Sequence, residues 1–461
     1  MPSTPSGYLE PARLLPVLGE WDVVVCGGGS AGCAAAVAAA RHGTKTLIVE
    51  RDSHFGGTTV SALVNVILST NGVDFQGIWH EWARRLKQLG GISGLRWEDR
   101  EGTRWLAGSS APEMVKLVWD ALIAKAGAEV LHFAWAVAAI VEDGAIRGVI
   151  VETKGGRQAI RARRVIDCTG DGDVCASAGV GFENGIDGKP WTHGVSVNAL
   201  LGGTRPPNDY AAGTFPQGTG VSRSAGTMPL FQRGLIRFLK IDPLNPWDLT
   251  RIMREGRRMT RERVEQMRAE AGVSTVRMDE LCKGPFVAAT ATLPGIRASR
   301  RIHGKAEATA ADAFYLNKHP DGIARASWEI DFHQAEQARG KAFQFEGRTL
   351  DLRSPEYRPR QARTEAGDWF DIRYGCLLAR NVENLLMAGR CISSDPIAHA
   401  SLRIQQTCMS LGQAAGTAAA MSIRREIPVS TLEPAMLIAQ LEADRGEAEP
   451  AFEGLKHLTK T

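Results

Sequence analysis

Residues 22–50 read DVVVCGGGSAGCAAAVAAARHGTKTLIVE, and this stretch decides the fold. Asp22 to Cys26 (DVVVC) is a short β-branched run bounded by glycine, the pattern of a strand buried on both faces of a parallel sheet. From Ser30 to His42 nearly every residue is small or helix-favouring, so a helix here can lie very close to a sheet, and Gly43 stops it. Thr46 to Val49 (TLIV) is a second buried strand, ending on Glu50. Strand, helix and strand in this order predict a βαβ unit. Its first turn carries GGGSAG, with fingerprint glycines Gly27, Gly29 and Gly32. Gly27 permits the tight turn, Gly29 lets the backbone approach a pyrophosphate, and Gly32 lets the helix pack on the strand. Ser30 and Ala31 open the helix, whose first amides attract phosphate. Glu50, followed by Arg51, sits where an acid accepts from two ribose hydroxyls and repels an added 2′-phosphate.

A dinucleotide site is therefore expected at the amino end of the chain. The next segment, His54 to Thr59 (HFGGTT), places Gly56, Gly57 and Thr58 in a loop able to pass beside a long diphosphate, which favours FAD over NAD. Further out, Phe75 to Leu89 has apolar residues at helical spacing, and SAPE (Ser110 to Glu113) predicts a capped helix running to about Ala126. Asp143-Gly144 and Gly155-Gly156 then divide three β-rich stretches into an antiparallel meander, and Arg164 to Cys168 (RVIDC) returns to a buried strand. Between about Gly185 and Asp368 the texture changes to Pro-rich loops and one long Arg/Glu helix, Leu249 to Ala271. Its interleaved charges read as a solvated, salt-bridged face. Leu385 to Ala388 (LLMA) is one more buried strand, and Leu411 to Arg424 another Ala/Gly-rich helix. The predicted fold is α/β: a Rossmann-like FAD-binding domain, with a parallel sheet plus a three-stranded antiparallel meander, and an inserted α+β substrate domain. Residues 1–184 and 369–461 form the two parts of the first, and residues 185–368 the insert.

Four blocks carry a resemblance to a known family: GGGSAG with Glu50 and HFGGTT; DCTGDGDVCASAG (Asp167 to Gly179); LPGIRASRRIHG (Leu293 to Gly304); and ENLLMAGRCIS (Glu383 to Ser393) followed by RIQQTCMSLGQAAG (Arg403 to Gly416). The chain resembles FAD-dependent oxidoreductases with the glutathione-reductase-type FAD fold, and more distantly the fumarate reductase flavoproteins. The resemblance implies that Thr169, Gly170, Asp171 and Asp173 border the ADP half. It also implies that Gly389 and Arg390 approach the ribityl and diphosphate, and that a helix starting near Met409 aims its N-terminus at the flavin. A helix N-terminus there suits reduced flavin, which is negatively charged near N1 and O2. Two departures stand out. Ala298 replaces the family's usual Glu, and SSDPIAHASL (Ser393 to Leu402) differs from the commoner wording near the flavin.

Hydride transfer to or from a flavin needs a group that moves the accompanying proton. His333 in EIDFH, where the family also shows a His, is the leading candidate, followed by His399, His193 and His303. Arg297 and Arg301 could clamp a carboxylate or stabilise an enolate, as arginines do in the related reductases. No second G-x-G-x-x-G follows a strand and no C-x-x-C occurs among the eight cysteines, which argues against a dithiol reductase or a zinc site. In 461 residues, 55 Lys and Arg against 51 Asp and Glu leave a net charge of +4, too weak for a nucleic-acid field. No basic n-region with an apolar h-region opens the chain, and no run reaches membrane-spanning length, so a cytoplasmic protein is expected. Its partners are then a small-molecule substrate and a separate electron donor or acceptor. A flavin monooxygenase, and a tRNA-modification or non-catalytic FAD-binding component, are the alternative readings.

Overall fold

The structure, a computed structural model, describes residues 7–92, 96–100, 103–202, 221–223, 232–273, 284–332, 342–352 and 354–445. The βαβ unit is formed by β1 (Val17–Cys26), α1 (Ser30–Arg41) and β2 (Thr46–Val49). β1 begins five residues before the expected strand. Its first half, Val17 to Trp21, pairs with Ala159 to Ala162 but is exposed or half-buried, and Gly19 and Glu20 break its apolar run, so the sequence does not mark it as strand.

β3 (Glu129–Leu131), β4 (Trp135–Glu142), β5 (Ala145–Thr153) and β6 (Gly156–Asp167) extend this unit into a seven-stranded sheet. The order is β3-β2-β1-β6-β5-β4, and the short strand Leu385–Met387 also pairs with β6. The sequence suggests a meander followed by a separate buried strand. Instead β6 is one twelve-residue strand serving both. Gly156 to Arg161 pair antiparallel with β5, whereas Val165 to Asp167 pair parallel with Leu385 to Met387. The polar residues in its middle do not break it, because Arg161 and Arg163 point outward while Arg164 is buried. The Arg164 guanidinium donates to Ser422 Oγ at 2.9 Å and to the Ile427 carbonyl at 2.6 Å. The helix Pro112–Ala126 likewise forms without its expected cap. Ala111 is the N-cap, and Ser110 Oγ donates to the Asn65 carbonyl at 3.2 Å.

A second, antiparallel sheet is built from β7 (Val195–Gly202), β8 (Gln232–Phe238), α2 (Pro246–Glu270) packed on it, and β9 (Phe286–Thr290). Val195, Val197, Ile241, Ile252 and Met253 form its core. α2 starts three residues before Leu249, because the Asn245 side chain accepts from the amides of Trp247 and Asp248 and Pro246 fits the first turn. Residues 300–326 pair back onto the flanking segments: Arg300–Ile302 with Phe182–Asn184, and Gly322–Ala326 with Phe370–Arg373.

α3 (Gln405–Arg424) lies directly on α1. A Cβ on Gly412 would stand 2.0 Å from the Ala31 carbonyl oxygen, and one on Gly416 2.2 Å from that of Ala35, so only glycine allows this approach. α3 begins six residues before the expected start at Leu411. Its first turn has no side-chain cap, and its polar residues work across the fold: Gln405 Nε2 donates to the carbonyls of Val64 and Val66, and Gln406 Nε2 to that of Leu68. Among the described residues, seven cysteines are buried and form no disulfide, and no helix is long and apolar enough to cross a membrane. Cys282 lies outside the described residues.

Candidate functional site

The carboxyl ends of β1, β2, β6 and the Leu385–Met387 strand open onto a cavity of about 700 Å³, where open α/β sheets place their ligands. Gly27, Gly29, Ser30 and Ala31 line it from the β1–α1 turn, and Glu50, Arg51, Gly57 and Thr58 from the end of β2 and the loop beyond. Thr169, Gly170, Asp171 and Asp173 line it after β6, and Gly389 and Arg390 after Met387. Three predicted residues stand elsewhere. Gly32 faces the Gly27 carbonyl, from which a Cβ would be 1.7 Å away, so it serves the helix–strand approach. Gly56 makes a left-handed turn against Val60. Met409 is 1% exposed in the core, and Gln405 and Cys408 line the cavity in its place, because α3 starts earlier than the sequence suggests.

The local chemistry grades along the cavity. At one end Glu50 is almost fully buried, and its carboxylate accepts from the amides of Gly28 and, at 2.9 Å, Asp52. Burial raises its pKa, and those two amides oppose the rise. The Arg51 guanidinium lies 5.3 Å from the Trp135 ring centre. Past β6, the acids are engaged within the protein. Asp173 accepts from Arg300 at 2.7 Å, and Asp171 accepts from Ser299 Oγ at 2.6 Å and from Arg390 at 3.2 Å. At the far end Arg403 donates to Asp331 at 3.1 Å. Cys408 lines the same end, with its thiol pushed up to about 12 by burial, which makes it a neutral wall group.

A family model described as FAD dependent oxidoreductase matches residues 22–442. The chain belongs to that family. Its cofactor is FAD. A 54-residue stretch is 44% identical to the 3-oxosteroid 1-dehydrogenase of Mycobacterium tuberculosis (strain ATCC 25618 / H37Rv), covering 12% of this chain and 10% of that protein. The match therefore spans about a tenth of the curated relative's length. Among solved structures, the chain is similar to the OxyS anhydrotetracycline hydroxylase from Streptomyces rimosus (TM-score 0.47, 14% identity, 95% of this chain and 68% of that one). It is also similar to a geranylgeranyl bacteriochlorophyll reductase-like protein from Thermoplasma acidophilum (TM-score 0.47, 13% identity, 95% and 88%).

The residues of this FAD-dependent oxidoreductase fit the cofactor on two structural grounds. A Cβ on Gly29 would meet no protein atom nearer than Gly57 Cα at 3.9 Å, so the backbone of the glycine turn lies bare to the cavity and open to a diphosphate. Arg390 Nη1 and Arg403 Nε are buried donors in cavity-lining residues with no partner among the described residues, which a ligand rich in acceptors would supply.

The candidate proton-moving and oxyanion-binding residues are placed differently from the sequence reading. His333 lies outside the described residues. His399 is fully buried behind the cavity wall. Its Nε2 donates to the Arg390 carbonyl at 2.8 Å, and burial together with Arg301 and Arg403 holds the imidazole well below its ordinary pKa. It is thus a neutral ring supporting the Arg390 backbone. His193 is buried 6.3 Å from it, ring centre to ring centre. His303 abuts Gly181. Arg297 donates to the Gly194 carbonyl at 2.6 Å, and Arg301 to Gly185 O at 3.0 Å and Glu183 at 3.2 Å, tying the hairpin-like Phe182–Asn184 and Arg300–Ile302 pair. Neither lines the cavity. Arg403 and Gln405 lie inside the RIQQTCMSLGQAAG block, which does not single them out as site residues, and no motif marks the cavity face of α2.

Proposed function

We propose that this FAD-dependent oxidoreductase transfers a hydride between a small organic substrate and flavin N5, the substrate entering at the end of the cavity walled by Arg390, Arg403, Gln405 and Cys408. FAD, when bound, supplies the ring that takes up or gives back the hydride. The observation that carries the reading is the pair of buried, unpartnered guanidinium nitrogens at that end, beside a neutral wall. Arg403 is oriented by Asp331, and Arg390 by Asp171 and by His399 beneath its carbonyl. These partners hold the two arginines in place and let their remaining donors orient an oxygen of the substrate. The buried thiols, whose pKa values are raised, give no support to a dithiol relay.

The test is the visible spectrum of the purified protein, followed anaerobically while hydroxy acids, sugars, amines and unsaturated acids are added in turn. Bleaching of the oxidised-flavin bands by one compound class, with a product two electrons more oxidised, is the expected result. A flavin reduced only by a nicotinamide nucleotide, with oxygen incorporated into product on aeration, would replace this reading by a monooxygenase.

A further inference from the structure

Seven arginines lie on α2 between Arg251 and Arg268, and they are not equivalent. Arg251 pairs with Asp248 at 3.0 Å, Arg258 with Glu255 and Glu262, Arg261 with Glu265 at 3.6 Å, and Arg263 with Glu270 at 3.3 Å. Arg268 is buried and donates to the Pro285 carbonyl at 2.9 Å. Arg254 and Arg257 are exposed, one helical turn apart, and make no ion pair or hydrogen bond among the described residues. They are also the arginines of α2 that line the cofactor cavity, on the same face as Thr250 and Met253.

The reason is written in the spacing. A helical arginine finds its acid three or four residues away. Positions 250, 251, 257 and 258 around Arg254 are Thr, Arg, Arg and Arg, and positions 253, 254, 260 and 261 around Arg257 are Met, Arg, Thr and Arg. No cavity acid takes them either. Asp171 and Asp173 are held by Arg390 and Arg300, Glu50 by two amides, and Asp52 accepts from Ser61 Oγ at 2.8 Å. Two adjacent forks of positive charge are left facing a cavity whose other wall is a phosphate-binding glycine turn.

We propose that Arg254 and Arg257 form an anion clamp that takes the diphosphate of a dinucleotide in this cavity, joining the second sheet to the βαβ unit through the ligand. Planar guanidinium forks suit phosphate oxygens, and such charge-assisted bonds are about twice as strong as neutral ones. The inference rests on FAD occupying the cavity. The diphosphate is either that of FAD itself or that of a nicotinamide dinucleotide that reduces it.

The experiment compares full-length wild type, the Arg254→Ala/Arg257→Ala double variant, and an Arg258→Ala/Arg261→Ala control that removes equal charge from the outer face of the same helix. FAD dissociation constants are read from flavin fluorescence at several salt concentrations, and those of NADH and NADPH for the FAD-loaded proteins from spectral titration. Loss of two charge-assisted contacts weakens FAD about tenfold or more in the double variant, with a shallower salt dependence, and leaves the control near wild type. An unchanged FAD constant with an NADH or NADPH constant raised by about threefold or more assigns the clamp to the reductant. Changes below about threefold in every ligand, or equal losses in variant and control, overturn the clamp while the wild type still holds FAD. A wild type that takes up no FAD overturns the cofactor assignment beneath it.

Discussion

Where α3 meets α1, backbone lies on backbone: Gly412 and Gly416 sit on the carbonyls of Ala31 and Ala35, and no side chain intervenes. Where α2 meets the second sheet, a small cluster of Val195, Val197, Ile252 and Met253 fills the contact, and the outer face of the helix is laced with exposed ion pairs. The first contact fixes a position and leaves no slack, because close-packed backbones cannot be shimmed by a methyl group. The second is a contact of side chains, Val197 seated against Gly256 among them, rather than of backbone on backbone. A cofactor site benefits from the first kind of contact, and a wall that must accommodate a ligand from the second.

The strongest way to break the contrast is Gly416→Leu. Its Cβ alone would overlap the Ala35 carbonyl, so the helix pair must separate, at a cost of about 3 kcal/mol or more, read as a lower thermal midpoint and loss of bound flavin. A variant as stable as wild type would show that α3 can slide, and the contrast would fall.

Buried polar contacts also tie the loop after Val66–Ser69 to α3, where Ser410 Oγ donates to the carbonyl of Asp74, whose carboxylate lies among them. Ser69 Oγ donates to its carboxylate at 2.7 Å and Ser327 Oγ at 3.4 Å, yet burial pushes its pKa up to about 6 from 3.8. The folded value lies above the unfolded one, so the native state keeps a proton that the unfolded chain releases. The contribution of Asp74 to stability therefore falls as pH rises from about 4 to about 6, by about 3 kcal/mol at most. Asp74→Asn removes that fall, and urea unfolding at pH 4.5 and pH 7 measures it; an unchanged difference between the two pH values would mean that Asp74 does not titrate across this interval. The smallest effect belongs to the outer face of α2. Glu262→Ala takes one exposed partner from Arg258 and costs less than about 0.5 kcal/mol in the same unfolding experiment.

The two regions also differed in how openly the sequence declared them. The βαβ unit is legible because its constraints are local: β-branched strands, three glycines at fixed spacing and an acid at the end of β2 each state a requirement in a few adjacent residues. The first turn of α3 was not legible, since Gln405 and Gln406 read as polar loop residues until their partners, carbonyls some 340 positions earlier, are known. β6 was read as two strands because an outward-pointing arginine and a loop residue look alike without the neighbouring strand. Arg297 and Arg301 have the chemistry of a substrate clamp, but each gives a donor to a carbonyl, of Gly194 and Gly185, and neither lines the cavity, which only tertiary structure shows. Arg254 and Arg257 were legible in principle. Counting arginines along α2 suggested a uniform salt-bridged face, whereas asking of each one whether an acid stood three or four positions away separates these two from the rest.

The register of α3 on α1 also works as a gauge. Gly412 rests on Ala31 and Gly416 on Ala35, so the helices run parallel, and α3 reaches seven residues ahead of Gly412 to Gln405, about 10 Å beyond the mouth of α1. Two helix mouths thus open on one cavity at a separation that cannot drift. A ligand anchored at the first by its phosphates meets the second only if it extends about 10 Å along the cavity.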